Sequence, residues 1–254
     1  MYSFISGLLS DKKGGAVFTC FGIYHLCYVV LIAVIITLAL LYLKNKEKEK
    51  WQKLANIFLY ISFGIYMAGF FLMPFAYGEI DIEKLPFHIC TAICVLCFLS
   101  NHNAFLKKFR WNFALLGFIS NLVYLLYPAG VMWYQVHPLS YRVIETLLFH
   151  GFMVVYGLLT LISEKELASK WKTRYYDLVI ISILVVWAII GNVCYNANVG
   201  NYSHFFNWFF VVRDPFYILP EKIAPFVMPF VNIFLFFLVE NLVCFILHTT
   251  NKKK

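Results

Sequence analysis

Long apolar runs separated by short polar stretches make up most of the chain. Each run approaches the roughly 20 residues that an α-helix needs to cross the hydrocarbon core of a bilayer. Because lipid offers no hydrogen-bond partners to the backbone, runs of this length are typical of membrane-spanning helices. The pattern predicts about seven spans within one transmembrane helical domain, residues 1–254. The expected spans are residues 17–43, 53–77, 86–106, 111–129, 141–162, 175–196 and 223–247.

The composition agrees with this pattern. Hydrophobic residues make up 62% of the chain and charged residues 13%, and the mean hydropathy is +0.75. Soluble domains carry roughly 25% charged residues, so this chain has too little polar surface to coat a soluble globule. The seven cysteines lie mostly within apolar runs and are expected to be small packing residues, not a disulfide framework. The fold class is therefore expected to be an all-α, polytopic membrane bundle.

The net charge of +8 is concentrated in short loops and at the C-terminus. Basic residues cluster at 44–53, 107–110, 165–174 and 252–254, which the predicted spans place on one side of the membrane. By the positive-inside rule this side is the cytoplasm, so the N-terminus is expected outside and the C-terminus inside. We expect a multi-pass protein of the cell membrane. No arginine-rich arm or RNA-binding aromatic motif is present, and no nucleic-acid partner is expected.

Polar side chains within the apolar runs are the most informative residues for function. An ionisable group costs about 2.5–3.5 kcal/mol at the bilayer midplane on insertion scales, so such groups usually face a protein cavity. Most fall in the outer half of the predicted spans or before the last span, which predicts a polar pocket on the outer side. They are His88, Glu145, His150, Asn192, Asn196, Asn201, His204, Asn207, Arg213 and Asp214. On the cytoplasmic side, Asp177 and Glu240 are expected close enough to the interface to reach water.

Several of these residues have a simpler structural interpretation. His25 is expected to form hydrogen bonds between helices, and Glu145 has Arg142 three positions earlier as a potential ion-pair partner. The aromatic segment 202–212 is too short to span, and we expect a re-entrant or interfacial helix there. The alternative is that its aromatic side chains extend the interfacial belt of the neighbouring helices.

Motifs of other reaction classes receive little support. Cys90, Cys94 and Cys97 have the spacing of an iron–sulfur motif, but they lie within an apolar helix and are expected to pack there. We therefore expect no metal site and no cofactor. No HExxH, P-loop or GxSxG sequence occurs, so phosphoryl transfer and classical serine hydrolysis are not supported.

Three segments, in their order and spacing, carry a resemblance to a known family. They are Leu85-Pro86-Phe87-His88-Ile89-Cys90, then Phe149-His150-Gly151, and then Gly200-Asn201-Tyr202 through Asn207-Trp208-Phe209-Phe210 and Arg213-Asp214-Pro215. The chain resembles the YwaF-like bacterial integral membrane proteins, which are related to eukaryotic transmembrane protein 164. The eukaryotic branch is described as an acyltransferase that acts on lysophospholipids with a cysteine nucleophile.

The resemblance implies roles for individual residues. It would make His150 a general base and His88 a second polar residue of the site. In the eukaryotic pattern the cysteine directly precedes the histidine that matches His88. This chain has Phe87 at that position, so Cys90 and Thr91 are the nearest candidates for a nucleophile. The binding residues expected around them are Glu145, Asn192, Asn201, Asn207 and Arg213, with the Asn192 and Asn207 amides as candidate oxyanion donors.

The leading functional hypothesis is a membrane protein that binds a phospholipid or lysophospholipid and transfers or hydrolyses its acyl group. Such chemistry needs a thiol or hydroxyl that an imidazole activates. Two alternatives stay open from the sequence: a transporter of a small solute or lipid, and a non-enzymatic lipid-binding protein.

Overall fold

The computed structural model is built from α-helices, and the residues that it describes contain no β-strand. These residues are 10–11, 15–77, 82–132, 135–196, 206–215 and 217–252. The main helices are α1 (Ile23–Leu43), α2 (Lys48–Tyr77), α3 (Ile89–Ser100), α4 (Arg110–Leu126), α5 (Tyr141–Ser163), α6 (Trp171–Asn196) and α7 (Ala224–Lys252). Short helical turns lie at Ile82–Lys84, Leu106–Phe109, Ala129–Met132, Lys165–Ser169 and Trp208–Phe210. The predicted all-α class is confirmed.

Six segments of the described chain are long and apolar enough to cross a membrane. They are Ile23–Leu43, Lys48–Leu72, Leu106–Met132, Tyr141–Ser163, Trp171–Asn196 and Ala224–Thr249. A helix rises 1.5 Å per residue, so about 20 residues match the roughly 30 Å of a hydrocarbon core. The protein is therefore a multi-pass membrane protein, as expected. Its orientation, with the N-terminus outside, and its description as a single domain remain predictions.

The third predicted span, 86–106, is shorter in the structure than expected. Helix α3 has 12 residues, which is about 18 Å of helix, less than the thickness of a hydrocarbon core. After α3 the chain turns, and the side-chain Oδ1 of Asn103 accepts hydrogen bonds from the backbone N–H groups of Phe105 and Leu106 at 2.9 and 3.0 Å. These bonds stabilise the turn where the sequence predicts continued helix.

The chain divides into two compact units. The first comprises residues 1–84 and 120–163, and therefore α1, α2, the end of α4, and α5. Helix α5 packs along α2 and also contacts α1. In the most apolar stretch of α5, 67% of the residues are buried, whereas in that of α1 the share is 17%. Thus α5 forms the core of this unit, while α1 exposes aliphatic side chains such as Val30, Leu38 and Leu41, which suits contact with lipid.

The second unit comprises residues 85–119 and 164–254, and therefore α3, the start of α4, α6 and α7. Helix α6 packs against α7 and against the turn Trp208–Phe210. The seven cysteines, all within the described residues, form no disulfide bond. Cys90, Cys94 and Cys97 are buried along α3, which agrees with the expected packing role.

Helices α1 and α5 approach each other closely at Gly151. A Cβ atom at Gly151 would lie 2.4 Å from Cδ1 and 2.5 Å from Cγ1 of Ile32, far inside van der Waals contact. Ile32 is itself 2% exposed, so its side chain has little room to move. The absence of a side chain at Gly151 therefore permits this packing.

Replacement of Gly151 by alanine is expected to destabilise the protein, and Gly64 of α2 offers a matched control. Nothing lies within 4 Å of a Cβ at Gly64, so Gly64→Ala should keep or raise the melting temperature because alanine favours helix. Gly151→Ala should lower it, since overpacking costs about 1–3 kcal/mol. Thermal unfolding in detergent measures both, and the loss should shrink in an Ile32→Ala background. Equal effects of the two glycine substitutions would contradict the close approach.

Candidate functional site

The imidazole of His150 has a defined orientation within the first unit. Its Nδ1 lies 2.7 Å from the backbone carbonyl oxygen of Thr146, one turn earlier on α5. Because a carbonyl oxygen only accepts, Nδ1 of the neutral ring carries the proton and the lone pair lies on Nε2. The ring of Tyr124 stacks on this imidazole, with 3.9 Å between centroids, and Phe149 meets its edge at 4.8 Å. The result is a buried imidazole whose basic nitrogen is Nε2.

Glu145, one of the predicted binding residues, is neutralised in the same unit by Lys84. The two side chains form an ion pair and are 4% and 14% exposed. A Cβ at Gly69 of α2 would lie 2.6 Å from Oε1 of Glu145, so glycine leaves room for the carboxylate. Arg142, the expected partner, donates from Nε to Oδ2 of Asp11 at 3.2 Å. Sequence reasoning did not find the Lys84 pair because 61 positions separate its members.

His25 has the structural role that the sequence predicts. It is fully buried, and its Nδ1 accepts a hydrogen bond from the backbone N–H of Phe21 at 2.9 Å. Its Nε2 then carries the proton and donates to the carbonyl oxygen of Leu125 at 2.8 Å. Nδ1 therefore stabilises the start of α1, and Nε2 stabilises the packing of α1 against the end of α4.

His88 lies at the N-terminal end of α3, in the second unit. Its carbonyl oxygen accepts hydrogen bonds from the backbone N–H of Ala92 at 2.9 Å and from the hydroxyl of Thr91 at 3.0 Å. Its ring meets the edge of Phe210, with 6.1 Å between centroids. Cys90 is in the first turn of α3 and is 7% exposed. The structure thus brings His88, Cys90 and Thr91 together at one helix N-terminus, where the backbone N–H groups favour negative charge.

Phe87, which replaces the cysteine of the eukaryotic pattern, packs inside an aromatic cluster of the second unit. Its ring lies 4.9 Å from that of Trp187 and 5.0 Å from that of Trp208, measured between centroids. A Cβ at Gly191 would lie 2.4 Å from Cδ1 of Phe87, so the ring fills the space above this glycine. The indole N–H of Trp187 donates to the carbonyl oxygen of Pro86 at 2.7 Å. Phe87 therefore anchors the start of α3 to α6.

The segment before α7 differs from the expected re-entrant or interfacial helix over residues 202–212. Its described part begins at Phe206, and the helical structure found there is one short turn, Trp208–Phe210. Asn201, a predicted binding residue, and His204 lie outside the described residues. Residues 206–213 are called the pre-α7 loop below.

Two asparagines of α6 hold the pre-α7 loop through its backbone. Asn192 donates from Nδ2 to the carbonyl oxygen of Trp208 at 3.0 Å and accepts at Oδ1 from the Trp208 N–H at 2.9 Å. Asn196 makes the same pair of bonds with Phe206, both at 2.8 Å. Each asparagine side chain thus satisfies both the N–H and the carbonyl of one loop residue. Those backbone groups have no partner from regular secondary structure.

The pre-α7 loop contains two consecutive residues in the left-handed region. Phe209 has φ 58° and Phe210 has φ 51°. This conformation is unfavourable for aromatic residues and costs on the order of 1–3 kcal/mol for each residue. Nδ2 of Asn232 on α7 donates to the carbonyl oxygen of Phe209 at 2.9 Å and contacts that of Phe210 at 3.3 Å. The surrounding hydrogen bonds thus stabilise a strained backbone.

Asn207 is bonded within the pre-α7 loop itself. Its Oδ1 accepts from the N–H groups of Val212 and Arg213 at 3.1 and 3.0 Å, and its Nδ2 donates to the carbonyl oxygen of Arg213 at 2.9 Å. The amides of Asn192 and Asn207, candidate oxyanion donors in the sequence, therefore bind the loop backbone in this structure. Their contact with a substrate remains a prediction.

The candidate residues fall into two groups. The first unit contains His150 and Glu145. The second unit contains His88, Cys90, Thr91, Asn192, Asn207 and Arg213. The single outer pocket that the sequence predicts remains a prediction. Each group has its own chemistry: a buried base in the first unit, and a thiol and a hydroxyl at a helix N-terminus in the second.

The sequence expectation for Asp177 and Glu240 is wrong. Both were expected to reach water, but each is 1% exposed. Each is the one carboxyl group of a largely apolar helix, α6 or α7, and this isolation is the signal in the sequence. That the two helices pack against each other follows only from the tertiary structure.

The profile described as the TMEM164 family matches residues 20–249 of the chain. The match includes every described candidate residue. No curated protein and no solved structure matches the chain.

Replacement of Asn192 by alanine is expected to loosen the pre-α7 loop. The change leaves the buried N–H and carbonyl of Trp208 without their partner, at a cost of about 1–3 kcal/mol for each unsatisfied group. The melting temperature should fall, and hydrogen exchange at the Trp208 amide should accelerate. Asn241→Ala is the matched control, because Asn241 donates only within its own helix, to the Phe237 carbonyl oxygen at 2.7 Å. Equal exchange at Trp208 in both variants would rule out this role of Asn192.

Proposed function

Because the chain belongs to the TMEM164 family, we propose that it is an integral enzyme of the cell membrane that transfers or hydrolyses the acyl group of a phospholipid or lysophospholipid. Such a substrate resides in the bilayer that the helices cross, so it has access to side chains that water does not reach. The observation that carries the proposal is the buried imidazole of His150, with its proton on Nδ1 and its lone pair on Nε2.

His150 has the properties of a general base. The Thr146 carbonyl fixes one tautomer of the neutral ring, with the proton on Nδ1 and the lone pair on Nε2. The stacked ring of Tyr124 limits rotation of the imidazole. A positioned imidazole of this kind can accept a proton from a nucleophile and return it to a leaving oxygen.

Cys90 is the better of the two candidate nucleophiles. The hydroxyl of Thr91 donates a hydrogen bond to the carbonyl oxygen of His88. Nucleophilic attack by Thr91 would require this hydrogen bond to break. Cys90 lies in the first turn of α3, where the helix dipole stabilises a thiolate. Attack of the thiolate on the acyl carbonyl would form a thioester and release the lysophospholipid, and transfer to an acceptor hydroxyl or to water would regenerate the thiol.

The backbone at the start of α3 also supplies donors for an oxyanion. The first helical hydrogen bond there joins the N–H of Ala92 to the carbonyl of His88. The first N–H groups of an α-helix have no acceptor within the helix, and in α3 these include those of Ile89 and Thr91. We assign the stabilisation of the oxyanion to these groups in preference to the Asn192 and Asn207 amides, which bind the pre-α7 loop.

His150→Ala is expected to reduce acyl exchange by about 10²–10⁴-fold, the usual contribution of a general base. The measurement uses the purified protein in liposomes that contain a phospholipid with an isotope-labelled acyl chain and an unlabelled lysophospholipid, with mass spectrometry of the products. His137→Ala is the control, because its ring contact is local, an Nδ1 that accepts from the Leu139 N–H at 3.2 Å. Full exchange by a folded His150→Ala protein would exclude this histidine from the mechanism.

Cys90→Ala is expected to abolish acyl exchange. The wild-type protein should carry a thioester-linked acyl group that hydroxylamine releases, and the variant should lack it. Cys94→Ala is a closely matched control, since Cys94 is buried one turn further along α3, away from the N-terminal N–H groups. Thr91→Val tests the alternative nucleophile. An acyl group retained by Cys90→Ala and lost in Thr91→Val would transfer the role to the threonine.

A further inference from the structure

The carboxyl group of Asp177 is buried between α4 and α6 in the second unit. Its Oδ1 accepts a hydrogen bond from Nδ2 of Asn112 at 2.7 Å, and the same amide donates to the carbonyl oxygen of Thr173 at 2.9 Å. Its Oδ2 is buried and has no hydrogen-bond partner in the part of the chain that the structure describes. Asp177 thus has one oxygen bound by the protein and one that is unsatisfied.

Glu240 of α7 lacks such partners entirely. Its side chain is 1% exposed, and neither Oε1 nor Oε2 has a hydrogen-bond partner among the described residues. Helix α7 packs against α6, and the carboxyl groups of Glu240 and Asp177 interact electrostatically. Two like charges in this setting repel each other and lack the solvation that water provides.

The charges around the pair do not balance two carboxylates. Arg174, three residues before Asp177, attracts it electrostatically, but its buried Nε has no hydrogen-bond partner in the described chain. Cys244, one turn after Glu240, contributes a neutral thiol. The turn Lys165–Ser169 also packs against α7 and carries one charge of each sign, Lys165 and Glu166. Among the described residues, Arg174 offsets one carboxylate while Lys165 and Glu166 offset each other, so one negative charge of the pair remains to be neutralised.

We propose that Asp177 and Glu240 share one proton and form a proton-binding site between α6 and α7. One proton removes the excess charge and provides the O–H donor that the unsatisfied oxygens lack. A metal ion is a weaker explanation, because no group of three or more His, Cys, Asp or Glu in the described residues is arranged to hold one. A sodium ion is the competing occupant, because backbone carbonyl, amide and hydroxyl oxygens also bind sodium.

The proton-binding site makes the packing of α6 against α7 depend on pH. While the proton is bound, the carboxyl groups connect the two helices. Its loss places two negative charges between them, which lowers the stability of the folded state. Because the folded state holds a proton that the unfolded state has released at neutral pH, the stability falls as pH rises. This site is separate from His150 and Cys90, and it does not depend on the proposed acyl chemistry.

Infrared difference spectroscopy of the full chain tests the proposal, in a detergent without ester or carboxyl groups. At neutral pH the wild-type protein should show a protonated carboxyl C=O band that shifts in D₂O and disappears at high pH. Glu240→Gln together with Asp177→Asn should remove this band. Glu164→Gln should retain it, because Glu164 is ion-paired with Arg110 at 2.7 Å. The experiment uses no lipid substrate, so its result is independent of enzymatic activity.

Thermal unfolding supplies a second measurement, for which the wild-type protein suffices. Its melting temperature should fall as pH rises through the range in which the band disappears, and it should be the same in sodium chloride and choline chloride. A band that is absent from the wild-type protein, or present in the folded double variant, would overturn the proposal. Selective stabilisation by sodium in the absence of the band would overturn it in favour of a sodium site.

Discussion

The structure depends on one constraint: a polar group within a membrane protein must find its partner in the protein, because hydrocarbon supplies none. His25 meets this constraint with both ring nitrogens, and Asn192 meets it with both ends of its amide. Glu145 meets it through the ion pair with Lys84. Among the described residues, Asp177 meets it with one oxygen, which Asn112 binds, and Glu240 meets it with neither.

The same constraint separates structural from chemically available groups. The Asn192 and Asn207 amides have the chemistry of oxyanion donors, but they bind the backbone of a strained loop. The roles that we propose for Cys90 and His150 rest on a different side-chain chemistry from that of these amides. A thiol is a weak hydrogen-bonding group that tolerates burial, and an imidazole can bind through one nitrogen while the other remains basic. These properties suit the roles that we propose for Cys90 and His150.

Phe87 stabilises the N-terminal end of α3 through aromatic packing. Its ring occupies the space above Gly191, stacks on Trp187 and packs at a tilt against Trp208. This packing holds α3 against α6. His88 follows as the N-cap residue of α3.

The sequence by itself determined the helical class, the membrane location and most of the spans, because length and hydropathy are local properties of an apolar run. It also identified His25 as structural and His150 as chemically notable, since an imidazole in hydrocarbon is costly wherever it lies. Only the tertiary structure decided which polar groups meet. Lys84 pairs with Glu145, and Asn112 with Asp177, across 61 and 65 positions of sequence. Such partners are set by helix packing, and no local pattern specifies how two distant helices align.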